Sequence, residues 1–178
     1  MLDQRHGVEV VDADAAQRGD RLVVGDVIMV DRPGVAVAIW AADCAPVFFL
    51  GADGRIIGAH AGWRGLAAGV LDVALDALDD EVEQAIVGPT IHPCCYEFGR
   101  AELDLVAGGV GADPTTIAGR TTAGELALDV PQAISSACAR REVEVAGIGD
   151  CTSCSLRYFS HRRGDRQRHA TIAWLEES

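Results

Sequence analysis

Three residues that can act as metal ligands stand beside a glycine or at the end of a predicted strand. His6 lies in Gln-Arg-His-Gly, Cys44 lies in Ala-Asp-Cys-Ala-Pro, and His60 opens His-Ala-Gly-Trp-Arg-Gly. One thiolate and two imidazoles make a competent tridentate set for zinc and leave a fourth position open for water or substrate. Their spacing matches no short zinc motif, so each also has an ordinary interpretation: His6 as a solvated terminal residue, Cys44 as core and His60 as a hydrogen-bonded strand end.

The segment after His60 has the composition of an anion site. A glycine-containing turn leads into a predicted helix, whose first N–H groups can bind an anion, and the guanidinium of Arg64 offers paired donors to phosphate or carboxylate. Trp63 is either a core anchor or a platform for a base. A basic run near the end of this acidic chain is either a solvated turn or a phosphate-facing segment; it comprises Arg162, Arg163, Arg166 and Arg168.

Apolar patterning predicts the strands that position these side chains. The turn sequence Gly-Ala-Asp-Gly at 51–54 joins the predicted strands at 47–50 and 55–60 in a hairpin, so the segments that carry Cys44 and His60 can converge. The predicted strands are Val35–Ala41, Val47–Leu50, Arg55–His60, Ala85–Val87, Val143–Ala146 and Thr171–Leu175.

Helical periodicity predicts three helices between and after these strands. The first covers Arg64–Leu78 and ends in Asp79-Asp80-Glu81, acidic residues at the end where the helix dipole favours cations. The others are Glu102–Ala107 and Asp129–Arg141, the last with Asp129 as N-cap. Hairpins mixed with helices favour a mixed α/β sandwich (α+β) in one domain over residues 1–178.

Composition limits the partners. The 178 residues carry 15 Lys and Arg against 27 Asp and Glu, a formal net charge of −12. Nucleic acid and anionic membranes need a positive contact face, so neither is expected as the main partner. No apolar run approaches the ~20 residues of a membrane span, and the first residues lack the layout of a signal peptide. We therefore expect a cytoplasmic protein.

Six cysteines are too few for a disulfide scaffold of this size. Cys138 lies in an apolar stretch and is expected in the core. Cys151 and Cys154 form a C-x-x-C pair, but no second pair follows at zinc-ribbon spacing, so we expect neither a structural zinc nor redox chemistry there. Cys94 and Cys95 lie in a turn after a proline, and their role stays open.

Several blocks follow one another in an order that resembles the YfiH-like family, also called laccase-domain or multicopper polyphenol oxidase proteins and regarded as purine nucleoside phosphorylases. The blocks are Ala-Asp-Cys-Ala-Pro at 42–46, His-Ala-Gly-Trp-Arg-Gly at 60–65, Gly-Pro-Thr-Ile at 88–91, Cys-Tyr-Glu-Phe-Gly at 95–99, Cys-Thr at 151–152 and Tyr-Phe-Ser-His-Arg-Arg at 158–163. The resemblance runs from Gln4 to Arg168. It implies a sandwich fold grouped with cytotoxic necrotizing factor-like proteins.

The resemblance also implies a site. The family's zinc ligands fall on His6, Cys44 and His60, and its activities are phosphorolysis of adenosine, inosine, guanosine and methylthioadenosine, together with adenosine deamination. The expected partners are thus a purine nucleoside and phosphate, with zinc preferred over copper, on a monomer or homodimer. We predict catalytic roles for Cys44 and Arg64, and substrate contacts from Asp43, Gly62, Trp63, Tyr96 and Arg163.

The sequence departs from the family pattern in three places. Family members normally carry several dozen residues before the Gln-x-His-Gly block, His161 replaces a tyrosine, and Gln167-Arg168 lacks the usual preceding glycine. Three alternatives therefore stay open beside the phosphorylase: an editing hydrolase of peptidoglycan precursors using the same metal, a copper-dependent polyphenol oxidase, and a metal-binding remnant without turnover. The oxidase ranks last because one three-ligand site does not make the several copper centres of a laccase.

Overall fold

The chain is organised around a six-stranded mixed sheet in a computed structural model that describes residues 2–17, 22–78, 82–147 and 149–176. The strands are β1 (Leu2–Asp3), β2 (Val10–Asp12), β3 (Val23–Val24), β4 (Val27–Val30), β5 (Ala36–Ala41), β6 (Ala45–Gly51), β7 (Ile56–Ala61), β8 (Val82–Val87), β9 (Ala118–Arg120), β10 (Leu126–Leu128), β11 (Val145–Ala146) and β12 (His169–Trp174). The helices are α1 (Ala13–Gln17), α2 (Trp63–Ala67), α3 (Val70–Leu78), α4 (Arg100–Val110) and α5 (Val130–Arg140), with a 3₁₀ turn at Pro93–Cys95.

The sheet has the strand order β11-β8-β6-β7-β4-β2, with antiparallel pairs in the centre and a parallel pair at each edge. Three two-stranded units accompany it: β1 with β3, β9 with β10, and β5 with β12. The mixed α/β sandwich predicted from the sequence is thereby confirmed.

Alternation along the strands gives the sheet two apolar faces. Phe49 belongs to the core that also contains side chains of α2 to α5, whereas its neighbour Phe48 belongs to a second core that contains β5 residues. Successive side chains of a strand point to opposite faces, so one strand supplies both cores. The sheet therefore lies between a helical layer and the β5–β12 ribbon.

The predicted hairpin is confirmed and fixes the geometry of the site. β6 and β7 pair antiparallel with Pro46 opposite His60 and Ala45 opposite Ala61. Cys44 directly precedes β6, so it lies next to the end of β7 that carries His60.

The predicted helix over Arg64–Leu78 is two helices rather than one. It breaks between α2 and α3 at Gly69, whose φ of +82° lies in the left-handed region that favours glycine. The acidic end predicted for it, Asp79-Asp80-Glu81, lies outside the described residues. Asp129 is the N-cap of α5 as predicted, since its carboxylate accepts the Gln132 N–H at 3.0 Å.

Membrane insertion of a helix finds no support in the described part of the chain. None of its helices is both long enough and apolar enough to span a bilayer.

Candidate functional site

A cavity of about 840 Å³ opens where β5 and β7 end and β6 begins. The three predicted metal ligands, His6, Cys44 and His60, all line it. They are called the His-Cys-His group below. A volume of this size is within the range of small-molecule binding sites.

The His-Cys-His group is compact. One ligand atom from each residue lies within 4.8 Å of the others, and the Cys44 Sγ is 3.7 Å from the His6 Nε2. The two imidazole rings meet edge-on, with centroids 4.8 Å apart. The structure thus brings together three residues that are far apart along the chain.

Asp26, which the sequence analysis missed, holds two of these ligands in place. Its fully buried carboxylate accepts the backbone N–H groups of Arg5 (3.0 Å), His6 (2.9 Å) and Gly7 (2.7 Å), and it lies 2.8 Å from the His60 Nδ1. This loop gives His6 a φ of +62°, a strained conformation for a residue with a side chain. In the sequence Asp26 is one of 27 acidic residues, and its position between Gly25 and the apolar strand β4 does not single it out.

Hydrogen bonds within the group stabilise the charged forms of Asp26, Cys44 and His60, and a metal ion bound there would replace the proton of His60. Burial opposes ionisation of Asp26, but the hydrogen bonds from His60 and the three N–H groups outweigh it and lower its pKa to about 2. Burial likewise opposes the Cys44 thiolate, yet the bonds from His6 and His60 lower that pKa to about 7. Burial disfavours charge on His60, but its bonds to Asp26 and Cys44 raise its pKa to about 9.

These residues fit one zinc-type ion. With Nδ1 of His60 bonded to Asp26, its Nε2 is the nitrogen left for a metal, the usual arrangement of carboxylate-supported histidine ligands. Bond lengths of about 2.3 Å to sulfur and 2.0–2.1 Å to nitrogen place tetrahedral ligand atoms about 3.6 Å apart, close to the 3.7 Å between Cys44 and His6. Gly62 leaves the room, because a Cβ there would lie 2.6 Å from the His6 ring and 3.0 Å from the Cys44 sulfur.

Arg64 and Trp63 lie at the start of α2 and line the cavity. The Arg64 guanidinium stacks on the Trp63 ring at 4.4 Å, and the same ring packs edge-on against Phe98 at 5.6 Å. Trp63 is therefore half-buried: it packs against the core, supports an exposed arginine and also lines the cavity. Since α2 has only five residues, its dipole adds little to the predicted anion site.

Tyr96 also lines the cavity, after the 3₁₀ turn. Its ring lies 5.1 Å from the Arg162 guanidinium and packs on Phe98 at 5.2 Å. Burial raises the Tyr96 pKa well above its ordinary value, so the hydroxyl keeps its proton. Arg162, from the basic run, lines the cavity beside it.

Both carboxylate oxygens of Asp43 accept hydrogen bonds from other parts of the chain. One carboxylate oxygen accepts the Thr152 hydroxyl at 2.6 Å, and the other accepts the Arg162 N–H at 2.7 Å. Its φ of +94° is strained. Although Asp43 lines the cavity, both its oxygens are already used, so its predicted substrate contact stays a prediction.

Arg163, predicted to contact substrate, is not among the residues that line the cavity. Its guanidinium donates to four backbone carbonyl oxygens of residues 152–158 and pairs with Asp165 at 2.6 Å. These bonds occupy its donors and brace the loop. The arginines of this segment that do line the cavity are Arg162 and Arg168.

Fold and site together define a mixed α/β sandwich with a His₂Cys group, able to hold a metal ion, on the wall of a cavity of about 840 Å³. The family model described as "Multi-copper polyphenol oxidoreductase laccase" matches residues 1–176, and the chain belongs to that family. The resemblance predicted from the sequence blocks is thus confirmed.

Several named proteins are similar to this chain over nearly its whole length. The chain is 36% identical to a purine nucleoside phosphorylase of Pseudomonas aeruginosa, over 99% of this chain and 74% of the relative. It is 32% identical to the purine nucleoside phosphorylase YfiH of Escherichia coli, over 98% and 72%. The crystal structure of a Neisseria meningitidis protein superposes with a TM-score of 0.88 at 32% identity, covering 99% of this chain and 74% of that one.

Proposed function

We propose that this chain is a zinc-dependent purine nucleoside phosphorylase acting on adenosine, inosine, guanosine and methylthioadenosine, with adenosine deamination as a second activity of the same site. The observation that carries the proposal is one cavity that joins the His-Cys-His group to arginine side chains. Relatives named purine nucleoside phosphorylase support the choice of reaction.

His6, Cys44 and His60 would hold the metal. Bound there, zinc would supply a Lewis acid at the cavity wall. Asp26 fixes the orientation of the His60 ring through Nδ1, and its N–H bonds hold the loop that carries His6. Because the Cys44 thiolate donates charge, this ligand set is less Lewis-acidic than three histidines would be.

Arg64 is the proposed phosphate ligand. Stacking on Trp63 holds its guanidinium at the cavity, and it forms no hydrogen bond or ion pair with the described residues. A planar guanidinium binds two phosphate oxygens at once. Arg168, whose guanidinium donates to the backbone carbonyl oxygens of Arg166 and Gln167, adds positive charge on the same cavity.

Phosphorolysis requires the bound phosphate and the sugar to meet. A phosphate oxygen forms a bond to the anomeric carbon, the glycosidic bond breaks, and the purine leaves with the electron pair and is protonated. Holding both reactants in line lowers the barrier by roughly 7–11 kcal/mol at best. Arg64 performs this positioning for the phosphate.

Tyr96 and Trp63 are the proposed contacts of the nucleoside. An aromatic ring beside the cavity offers a flat apolar surface to a purine, and the protonated Tyr96 hydroxyl can donate a hydrogen bond to it. Gly62 contributes by leaving space for the metal ligands. Asp43 and Arg163 support the cavity wall by the bonds described above.

The test is release of hypoxanthine from inosine by the purified chain, with and without inorganic phosphate. We expect release only with phosphate, and loss of turnover and of the zinc held by the His-Cys-His group in Cys44→Ala. Cys138→Ala is the matched control, because Cys138 is buried in the helical core away from the cavity. Release that ignores phosphate would indicate a hydrolase, and zinc binding without any turnover would indicate a metal-binding remnant; either result overturns the proposal.

A further inference from the structure

Four of the six cysteines converge at a second place in the fold. Cys94 and Cys95 lie in the 3₁₀ turn, and Cys151 and Cys154 form the C-x-x-C pair; their sulfur atoms all lie within 4.8 Å of one another. These residues are called the four-cysteine cluster below. None of them lines the cavity, so this group is separate from the His-Cys-His group.

Backbone pairing brings the two segments together. Thr90 and Cys151 form a parallel bridge, and the Thr152 N–H donates to the Thr90 carbonyl at 3.0 Å. The 3₁₀ turn then places two adjacent cysteines against the C-x-x-C loop. No second pair follows Cys151 and Cys154 at zinc-ribbon spacing; the pair that meets them, Cys94 and Cys95, precedes them along the chain by more than fifty residues.

The sulfur separations among Cys94, Cys95 and Cys154 are close to those of a tetrahedral tetrathiolate. Zinc–sulfur bonds of about 2.3 Å place the sulfurs of a tetrahedron about 3.8 Å apart. The Cys94 sulfur is 3.7 Å from that of Cys95 and 3.6 Å from that of Cys154, while Cys95 and Cys154 are 3.3 Å apart. All six cysteines are free thiols in the structure.

Backbone N–H groups surround the Cys151 sulfur. The His92 N–H donates to the Cys151 sulfur at 3.4 Å, and the N–H groups of Ser153 and Cys154 also point to this sulfur. Backbone donors around a metal-bound sulfur orient it and offset its negative charge. Cys151 is buried and Cys154 is exposed, so the cluster has one side open to solvent through which an ion can enter.

We propose that Cys94, Cys95, Cys151 and Cys154 bind a structural zinc ion through four thiolates. Four protein ligands complete the coordination and leave no position for substrate, which is the property of a structural site. This proposal does not depend on the proposed function.

Such an ion joins the two loops that form one wall of the cavity. Tyr96 directly follows Cys95, and Thr152, which binds Asp43, directly follows Cys151. Apart from the 3₁₀ turn and isolated bridges, neither loop contains regular secondary structure in its described residues. A zinc ion bound there would therefore link the two loops, which regular secondary structure does not join in their described residues.

The test is zinc stoichiometry of the purified chain after removal of loosely bound metal. We expect two zinc ions per chain in the wild type, one in Cys154→Ser, one in Cys44→Ser and none in the double variant. Cys138→Ala again serves as the cysteine-removal control and keeps two. Equal zinc content in the wild type and in Cys154→Ser would overturn the proposal.

A measurement on the wild type covers the case in which Cys154→Ser misfolds. Thiol alkylation followed by peptide mass spectrometry should find the four cysteines protected until a chelator is added, and reactive afterwards. Alkylation of all four before chelation, a disulfide between any two of them, or iron in place of zinc would each contradict the assignment.

Discussion

Replacing Asp26 by Asn tests how the His-Cys-His group is held. In the wild type, the two carboxylate oxygens of Asp26 face four donors. Oδ1 faces the His6 N–H and the His60 Nδ1, and Oδ2 accepts from the backbone N–H groups of Arg5 and Gly7. An amide keeps one oxygen and places an NH₂ where the other stood. Two of the four donors then face a donor instead of an acceptor.

The magnitude follows from that count. A buried donor without a partner costs about 1–3 kcal/mol, so Asp26→Asn should lower the free energy of unfolding by about 2–6 kcal/mol. Loss of the carboxylate behind a metal-bound histidine weakens metal binding 10–100-fold in comparable sites. A factor of that size corresponds to about 1.4–2.7 kcal/mol.

The assay has two readouts. Chelator competition in a Cys154→Ser background gives the zinc affinity of the His-Cys-His group alone, and urea unfolding gives the stability. The matched control is Asp129→Asn, since Asp129 also accepts a backbone N–H at 3.0 Å but as a helix N-cap, where Asn serves equally well. Unchanged zinc affinity and stability in Asp26→Asn would refute the positioning role.

Three further predictions follow from the same geometry. Gly62→Ala should reduce the zinc content and lower the free energy of unfolding by about 1–3 kcal/mol, because the new Cβ lies 2.6 Å from the His6 ring. Gly108→Ala in α4 is the control: its Cβ meets open space, so it should stabilise the chain. Urea unfolding distinguishes the two variants. Arg163→Ala should lower the free energy of unfolding by at least ~2 kcal/mol, because the loop loses the hydrogen bonds to its carbonyl groups. Arg168→Ala should instead raise the KM for phosphate and leave the Tm unchanged. A lower Tm in Arg168→Ala, or a higher KM for phosphate without lost stability in Arg163→Ala, would contradict these roles. Chelation should lower the Tm and abolish phosphorolysis, and added zinc should restore both. Thermal scanning and hypoxanthine release measure the two effects. Phosphorolysis that survives complete chelation would exclude a role of the metal in this reaction.

Local sequence signals predicted the elements that carry the site. Turn residues between two apolar stretches predicted the β6–β7 hairpin, and the hairpin in turn predicted that Cys44 and His60 converge. The capping preference of aspartate predicted the N-cap at Asp129. The short edge strands β1 to β3 were missed, because strands of two or three residues carry no periodicity.

Contacts between distant segments could not be predicted in the same way. Asp26 is one acidic residue among many, and only folding places it against His60, which is 34 residues further along the chain. The four-cysteine cluster needs the bridge from Thr90 to Cys151 before its two pairs meet. Arg163 and Arg162 are neighbours in the sequence, yet one braces a loop and the other lines the cavity.

Anomalous diffraction at the zinc edge tests the central claim most directly. The account predicts a peak at the cavity wall about 2.0–2.1 Å from one nitrogen each of His6 and His60 and about 2.3 Å from the Cys44 sulfur. A zinc-loaded crystal with no peak among these three atoms would contradict it.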